Sequence, residues 1–369
     1  MTEKQIRTAI IGLGRAGWGM HCTELDSRPE MFEIAGGCDT YEPWRERFAE
    51  RFPDARVTAD MQELFDDDSI EMVSIATRSC DHHDHAMAAL EAGKIVFLEK
   101  PICRTYDEAL SLQEASKKYP GKLFIRHNRR FEPSFIAIRE IIDSGIIGEL
   151  VQMKLARTSY GRRNDWQTLL EFGGGQLSNW GSHIIDHGLQ FLGAPEHPLK
   201  ALHGYLNRVA AVGDAEDHVK IMMTGADDAV VDIEISGGAA LPAPQYLVWG
   251  KKGALEYWGG EKIKMRFLDP SVELPPREAF PGVPGSEFVV PSGKQSLEKR
   301  TIGSNFGTPE TLPWIEEERD IPEGSPRVIW DHLYGAIRQG QTFQVSLDEA
   351  VEVMRVTEEI RKGTAFEMK

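Results

Sequence analysis

Ile10-Ile11-Gly12-Leu13-Gly14-Arg15-Ala16-Gly17 stands near the N-terminus behind a short apolar run, and it reads as a strand, a tight glycine turn and the start of a helix. Gly12 and Gly14 lack the Cβ that would block a sharp turn and the approach of a pyrophosphate, while Gly17 lets the helix pack against the strand. The loop from Leu13 through Arg15 and Ala16 then presents the N–H groups of a first helical turn to an anion. A glycine pattern of this kind is weak by itself. Its context strengthens it: a second apolar run, residues 32–38, ends in Asp39, about twenty residues past the last glycine, where a carboxylate accepts hydrogen bonds from ribose hydroxyls. Strand, glycines, helix, strand and acid in that order predict a dinucleotide site. Asp39 would repel a 2′-phosphate and Thr40 supplies no cation to hold one, so NAD is expected in preference to NADP. Arg45 on the following helix is the feature that speaks against this.

The chain has 369 residues, which suits two domains, and 41% of them are hydrophobic, enough to build both cores. Lysine and arginine total 42 against 58 acids, a net charge of −16, which argues against nucleic acid and anionic membrane surfaces as partners. No apolar run approaches membrane-spanning length, and the first strand begins so close to Met1 that no secretory signal is expected. Cys22, Cys38, Cys80 and Cys103 form no C-x-x-C pair and read as small core residues in a reducing compartment, so a cytoplasmic protein is expected.

Helical spacing over residues 43–52, a short strand around 57–59 and a brief helix at 61–65 follow Asp39. The nearly all-apolar run 71–77 predicts a buried parallel strand whose terminal Thr77 opens a loop beneath the cofactor. Residues 84–92 form a helix stopped by Gly93, residues 94–98 another buried strand, and that strand delivers Glu99-Lys100-Pro101. Thr105 and Glu108 resemble a capping box for a helix running to about Lys118, and residues 122–126 supply a sixth strand. This alternation describes a doubly wound dinucleotide-binding domain over residues 1–126. The rhythm changes over residues 127–369. A helix at 133–144 precedes strands at 151–158, 201–209, 218–224, 229–236, 246–250 and 254–258, whose short connections imply a large, mostly antiparallel open sheet. Residues 269–326 read as a long surface excursion, with Glu316-Glu317-Glu318 as a solvated face. Amphipathic helices at 327–339 and 347–362 close the chain.

These features together resemble the Gfo/Idh/MocA family, the oxidoreductases related to glucose-fructose oxidoreductase and inositol dehydrogenase. The resemblance rests on the glycine turn, on Ala89-Leu90-Glu91-Ala92-Gly93-Lys94 leading into Glu99-Lys100-Pro101, on Asn128-Arg129-Arg130-Phe131, and on Gly173-Gly174-Gly175 through Trp180-Gly181-Ser182-His183-Ile184-Ile185-Asp186. It implies an N-terminal Rossmann domain, a C-terminal α/β domain with an open sheet that packs between subunits of a homodimer or homotetramer, and nicotinamide-linked redox chemistry on a sugar or polyol.

Within that frame Lys100 is the residue whose ammonium orients the reacting hydroxyl and contacts the nicotinamide ribose, and its bond to Pro101 is expected to be cis. Glu99 pairs with Lys100 or with another cofactor-facing group. His183 matches the family's catalytic histidine and suits general base work near neutral pH. Asn179, His183, Asp186 and His187 are spaced along one side of a helix beginning near Gln176, and that side is expected to face the substrate. Asn179 departs from the family, many members of which carry aspartate four residues before the histidine; an amide binds a hydroxyl or the imidazole but brings no charge. His82 matches a family position in the loop over the cofactor. Trp166 reads either as core or as a wall beside the nicotinamide, and Arg129 either reaches substrate oxygens or is structural. The run Asp81-His82-His83-Asp84-His85 and the pair His183 and His187 both invite a metal reading, but neither has the Glu of H-E-x-x-H and hydride transfer needs no metal, so none is expected. The implied activity is NAD-dependent hydride transfer at a secondary alcohol of a sugar, polyol or glycoside. Redox-assisted cleavage of a glycoside with retained NAD, or a regulator that binds sugar and cofactor without turnover, are the alternatives.

Overall fold

The computed structural model of the chain describes residues 4–276 and 311–368. Its first sheet consists of β1 (Ile6–Ile11), β2 (Phe32–Cys38), β3 (Arg56–Thr58), β4 (Met72–Ile75), β5 (Ile95–Leu98) and β6 (Leu123–Ile125), all parallel, in the order β3-β2-β1-β4-β5-β6. Every residue of β4 is buried, as expected of a strand covered on both faces. The crossovers run through α1 (Thr23–Asp26), α2 (Glu42–Arg51), α3 (Gln62–Phe65), α4 (His82–Glu91) and α5 (Tyr106–Lys118). Thr105 caps α5 reciprocally with Glu108, the box read in the sequence. Strand order reverses between β1 and β4, so the carboxyl ends of these strands open a crevice at the switch point.

After α6 (Pro133–Asp143), β7 (Leu150–Thr158) and α7 (Ser182–Leu192) come β8 (Ala201–Asn207), β9 (His218–Thr224), β10 (Val230–Ser236), β11 (Tyr246–Gly250), β12 (Gly253–Tyr257), β13 (Lys262–Leu268) and β14 (Trp314–Asp320). They form an eight-stranded sheet, order β14-β13-β12-β11-β7-β10-β9-β8, antiparallel except for the β7/β10 pair. Alternate residues such as Met153, Leu155, Ile221, Ile233 and Val248 are buried beneath α6 and α7 in a second core.

Two sequence expectations change here. The excursion at 269–326 contains β14, and β13 just before it went unread; residues 277–310 lie outside the described residues. The acidic run is the outer edge of the sheet, with Glu316, Glu318 and Asp320 registered opposite Arg266, Lys264 and Lys262. Cross-strand charge pairing makes a strand of a segment that lacks hydrophobic patterning. The closing helices also divide their allegiance. Ile329, Trp330 and Leu333 of α8 (Ile329–Arg338) belong to the core of the first sheet, while α9 (Leu347–Arg361) gives Val351 and Met354 to that core and Val353, Val356 and Ile360 to the second. A boundary at 126/127 therefore separates the sheets but not the cores.

Candidate active site

The carboxyl ends of β1, β2, β4, β5 and β6 deliver, in turn, the glycine turn, Asp39, Thr77, Lys100 and His127 to the crevice. Gly12 has φ +90, and a Cβ there would lie 2.8 Å from the Ala76 carbonyl oxygen; a Cβ on Gly17 would lie 1.8 Å from the carbonyl oxygen of Gly12. The turn is thus packed backbone on backbone, which only glycine permits. Gly14 faces the indole of Trp44. Asp39 is held toward the turn, with one oxygen accepting from the Leu13 N–H at 2.7 Å and the other from the Tyr41 N–H at 2.9 Å. A carboxylate has about four acceptor sites, so lone pairs remain for ribose hydroxyls. The cradle and the acid fit the adenosine half of a dinucleotide. Arg15 reaches Gln167 at 3.4 Å and so ties the glycine turn to the short turn Trp166–Thr168. Half-buried Trp166 stands on that turn and belongs to neither core.

The Lys100–Pro101 bond is cis. The Lys100 ammonium donates to the backbone oxygen of Asn179 at 3.1 Å and lies 3.4 Å from its Oδ1. Burial pushes its pKa down to about 8, helped by the charges of Arg129, Arg15 and Arg126 and opposed by Glu99. Glu99 does not pair with that ammonium or face the cofactor. It is buried, with Oε1 bonded to Arg126 at 2.8 Å and His21 at 3.0 Å, while Oε2 accepts the backbone N–H of Lys100 at 3.1 Å. Arg126 also reaches Glu24 at 2.6 Å, which accepts the indole N–H of Trp330. Burial disfavours the Glu99 carboxylate, but Arg126, His21 and Lys100 together outweigh this and hold its pKa below the usual range. The ionic network braces the strand end that carries Lys100.

His82 is likewise a brace. Its Nδ1 lies 2.6 Å from the Pro101 oxygen and its Nε2 3.3 Å from the Thr77 oxygen, and burial lowers its pKa. The ring joins the loops after β4 and β5. Thr77 turns its hydroxyl to His85 at 3.1 Å.

Between Gln176 and α7, residues Leu177–Gly181 form a wide π turn. The wider turn alters the spacing that a regular helix would impose. Asn179 reaches Lys100, and His183 is 6% exposed, with an Nδ1 that has no partner among the described residues. Burial first, then the charges of Lys100 and Arg129, hold the His183 pKa well below its ordinary value. Burial and these charges favour the neutral imidazole.

Asp186 and His187 do not share that placement. Asp186 is 1% exposed and binds the Arg130 guanidinium through both oxygens, with Nε at 2.8 Å; burial opposes its ionisation, yet Arg130 keeps its pKa below the carboxylate range. His187 accepts from the Tyr246 hydroxyl at 2.9 Å, donates to the Arg129 oxygen at 3.1 Å and stacks on Phe135 at 4.1 Å. Burial pushes its pKa to about 3. Both are scaffold and not substrate ligands. His127, unread in the sequence, stands edge-on to His183 at 6.4 Å with Nδ1 3.6 Å from Asp186. It lies two residues past the end of β6, as Lys100 lies two residues past the end of β5.

A cavity of about 500 Å³ is lined by Arg129, Glu132, Arg157, Gln176, Trp180 and Gln245 among others, and the Trp180 ring on its wall lies 6.2 Å from the His183 ring. Arg129 lies 4.3 Å above the Trp180 ring and is ion-paired with Glu132. No group of three or more potential metal ligands occurs among the described residues, and no helix among them is long and apolar enough to cross a membrane.

Comparison with known proteins agrees with this layout. Residues 6–127 match a family model described as an oxidoreductase family with an NAD-binding Rossmann fold, and residues 135–256 match the GFO/IDH/MocA C-terminal domain. The chain is 27% identical to scyllo-inositol 2-dehydrogenase (NADP(+)) IolW of Bacillus subtilis over 96% of its own length and 92% of that protein. It is 27% identical to inositol 2-dehydrogenase of Acidothermus cellulolyticus over 64% of this chain and 67% of the other. The solved structure of yvaA from Bacillus subtilis has the same fold, with a TM-score of 0.78 at 20% identity, covering 99% of this chain and 97% of that one.

Proposed function

The chain belongs to the Gfo/Idh/MocA family of oxidoreductases, and from that premise we propose that it is an NAD-dependent dehydrogenase acting on a secondary alcohol of a sugar or polyol. What supports this reading is the contact of the Lys100 ammonium with Asn179, near enough to His183 for its charge to lower the imidazole pKa, and a His183 Nδ1 with no partner among the described residues. A bound nicotinamide supplies the hydride acceptor for oxidation and the donor for the reverse. In oxidation, His183 takes the hydroxyl proton as the carbonyl forms, and the Lys100 ammonium donates a hydrogen bond to the oxygen undergoing change. Asn179 holds that ammonium in place and offers its amide to a neighbouring hydroxyl. Arg129 and Trp180 border the substrate side. Gly12, Gly14 and Gly17, with the N–H groups from Leu13 to Ala16, receive the pyrophosphate.

Asp39 supports NAD. Arg45, the cation nearest the ribose position in sequence, has Nη1 bonded to the Asp39 and Thr40 backbone oxygens at 2.8 and 2.9 Å. The NADP dependence in the name of the Bacillus subtilis relative makes this a sharp test. An absorbance screen of sugars and polyols with each cofactor is expected to give turnover with higher kcat/KM for NAD. Preference for NADP would reverse the cofactor assignment, and binding of sugar and cofactor without turnover would favour a regulator.

The face of the eight-stranded sheet opposite the helices exposes Tyr205, Met222, Trp249 and Trp314, and on our reading a second copy covers it. A dimeric or tetrameric mass by light scattering is expected; a monomer at micromolar concentration would refute it.

A further inference from the structure

The cavity whose wall includes Trp180, 6.2 Å from the His183 ring, holds one more cation than it can neutralise. Of its lining residues Arg129, Arg157 and Glu132 are charged, so two guanidinium groups share one carboxylate. Arg129 takes Glu132 in close contact, while Arg157 stands 3.8 Å away from it with a side chain only 9% exposed. Arg157 donates to the Ala156 oxygen at 2.9 Å and lies 5.5 Å from the Tyr246 ring and 5.6 Å from the Trp180 ring. The rest of the polar lining, including Thr158, Ser159, Ser236 and Gln245, is neutral.

A guanidinium largely removed from water and only loosely paired favours an anion. Its planar donor fork matches carboxylate or phosphate oxygens better than the single hydroxyls of a neutral polyol. Hydroxyl and amide groups along the wall suit the remaining substrate hydroxyls. We propose that this cavity selects an anionic sugar, one whose ring carries a carboxylate or a phosphate ester bound by Arg157, with the alcohol to be oxidised directed toward Lys100 and His183. This rests on the dehydrogenase reading and adds to it a substrate class and a specificity residue.

The test uses matched sets: D-glucose, D-glucuronate and D-glucose 6-phosphate, with the corresponding galactose and mannose sets. Binding to the NADH-loaded protein is measured by calorimetry and turnover with NAD by absorbance. The anionic member of at least one set is expected to bind about ten-fold or more tightly than its neutral partner, the scale of a charge-assisted hydrogen bond; which anion does so separates carboxylate from phosphate. Arg157→Gln should abolish the preference, Arg157→Lys should restore part of it, and added salt should weaken it. Neutral sugars binding as well as the acids, no anionic sugar binding at all, or a preference that survives in folded Arg157→Gln would overturn the proposal. Turnover confined to neutral sugars would overturn it and leave the dehydrogenase reading intact. Anion-selective binding without hydride transfer to NAD would do the reverse.

Discussion

Replacing Asn179 by aspartate places a carboxylate where the amide now lies 3.4 Å from the Lys100 ammonium. At that separation the attraction is about 1.2 kcal/mol in the dielectric of water and about 5 kcal/mol at an effective dielectric of about 20. Both side chains are half-buried at the crevice, so the result falls between these limits, an upward pKa shift of about 1 to 3 units at about 1.4 kcal/mol per unit. Lys100 stands at about 8 in the native protein. If its charged form is needed in catalysis, kcat/KM for alcohol oxidation falls as pH rises through that value. In Asn179→Asp this alkaline limb should move above about 9. The same charge lies one helical turn from His183 and should raise that depressed pKa too, moving the acidic limb toward neutrality. The assay is the pH dependence of kcat/KM for NAD reduction, with Lys100→Met as the control that removes the alkaline limb. An unmoved limb in a folded Asn179→Asp protein would show that Lys100 is not the group that titrates.

His183→Ala should lower turnover by about a hundred-fold to ten-thousand-fold, with little change in NAD affinity by fluorescence titration; near-normal turnover would put the proton acceptor elsewhere. Gly17→Ala forces a methyl group into the Gly12 carbonyl and should cost about 3 kcal/mol or more in chemical denaturation, together with loss of cofactor binding. Asp186→Asn leaves Arg130 with half its buried ion pairing and should cost about 3 to 5 kcal/mol. Because the native Asp186 pKa is depressed, its contribution is present above the unfolded value of about 3.9 and is lost as pH falls below it; the variant should therefore lose less stability than the native protein between about pH 5 and 3. An unchanged acid limb in urea titrations would contradict this.

The Rossmann half was legible because its signals are local. The turn that needs glycine, the strand before it and Asp39 lie within one stretch of chain, and each answers to backbone sterics or burial rather than to a distant partner. Lys100 has a local signal too, standing with Glu99 and Pro101 just past a mostly buried strand, to which the family resemblance added its role. His183 was singled out by its match to the family's catalytic histidine, not by a local signal of its own. What order and spacing left open was which polar groups face one another. Buried residues run continuously from Ser182 to Leu189 in α7, so no contrast between an apolar and a polar face marks the cleft side, and the π turn before it alters the spacing. Asp186 and His187 were therefore read toward substrate, when Arg130, Tyr246 and the Arg129 carbonyl claim them. Likewise β14 becomes a strand only when β13 sets Lys262, Lys264 and Arg266 against its acids, and Arg157 meets Glu132 only when β7 folds beside the start of α6. Conformational needs of single residues are written locally; the pairing of buried charges is a property of segments far apart in sequence, and only the tertiary structure decides it.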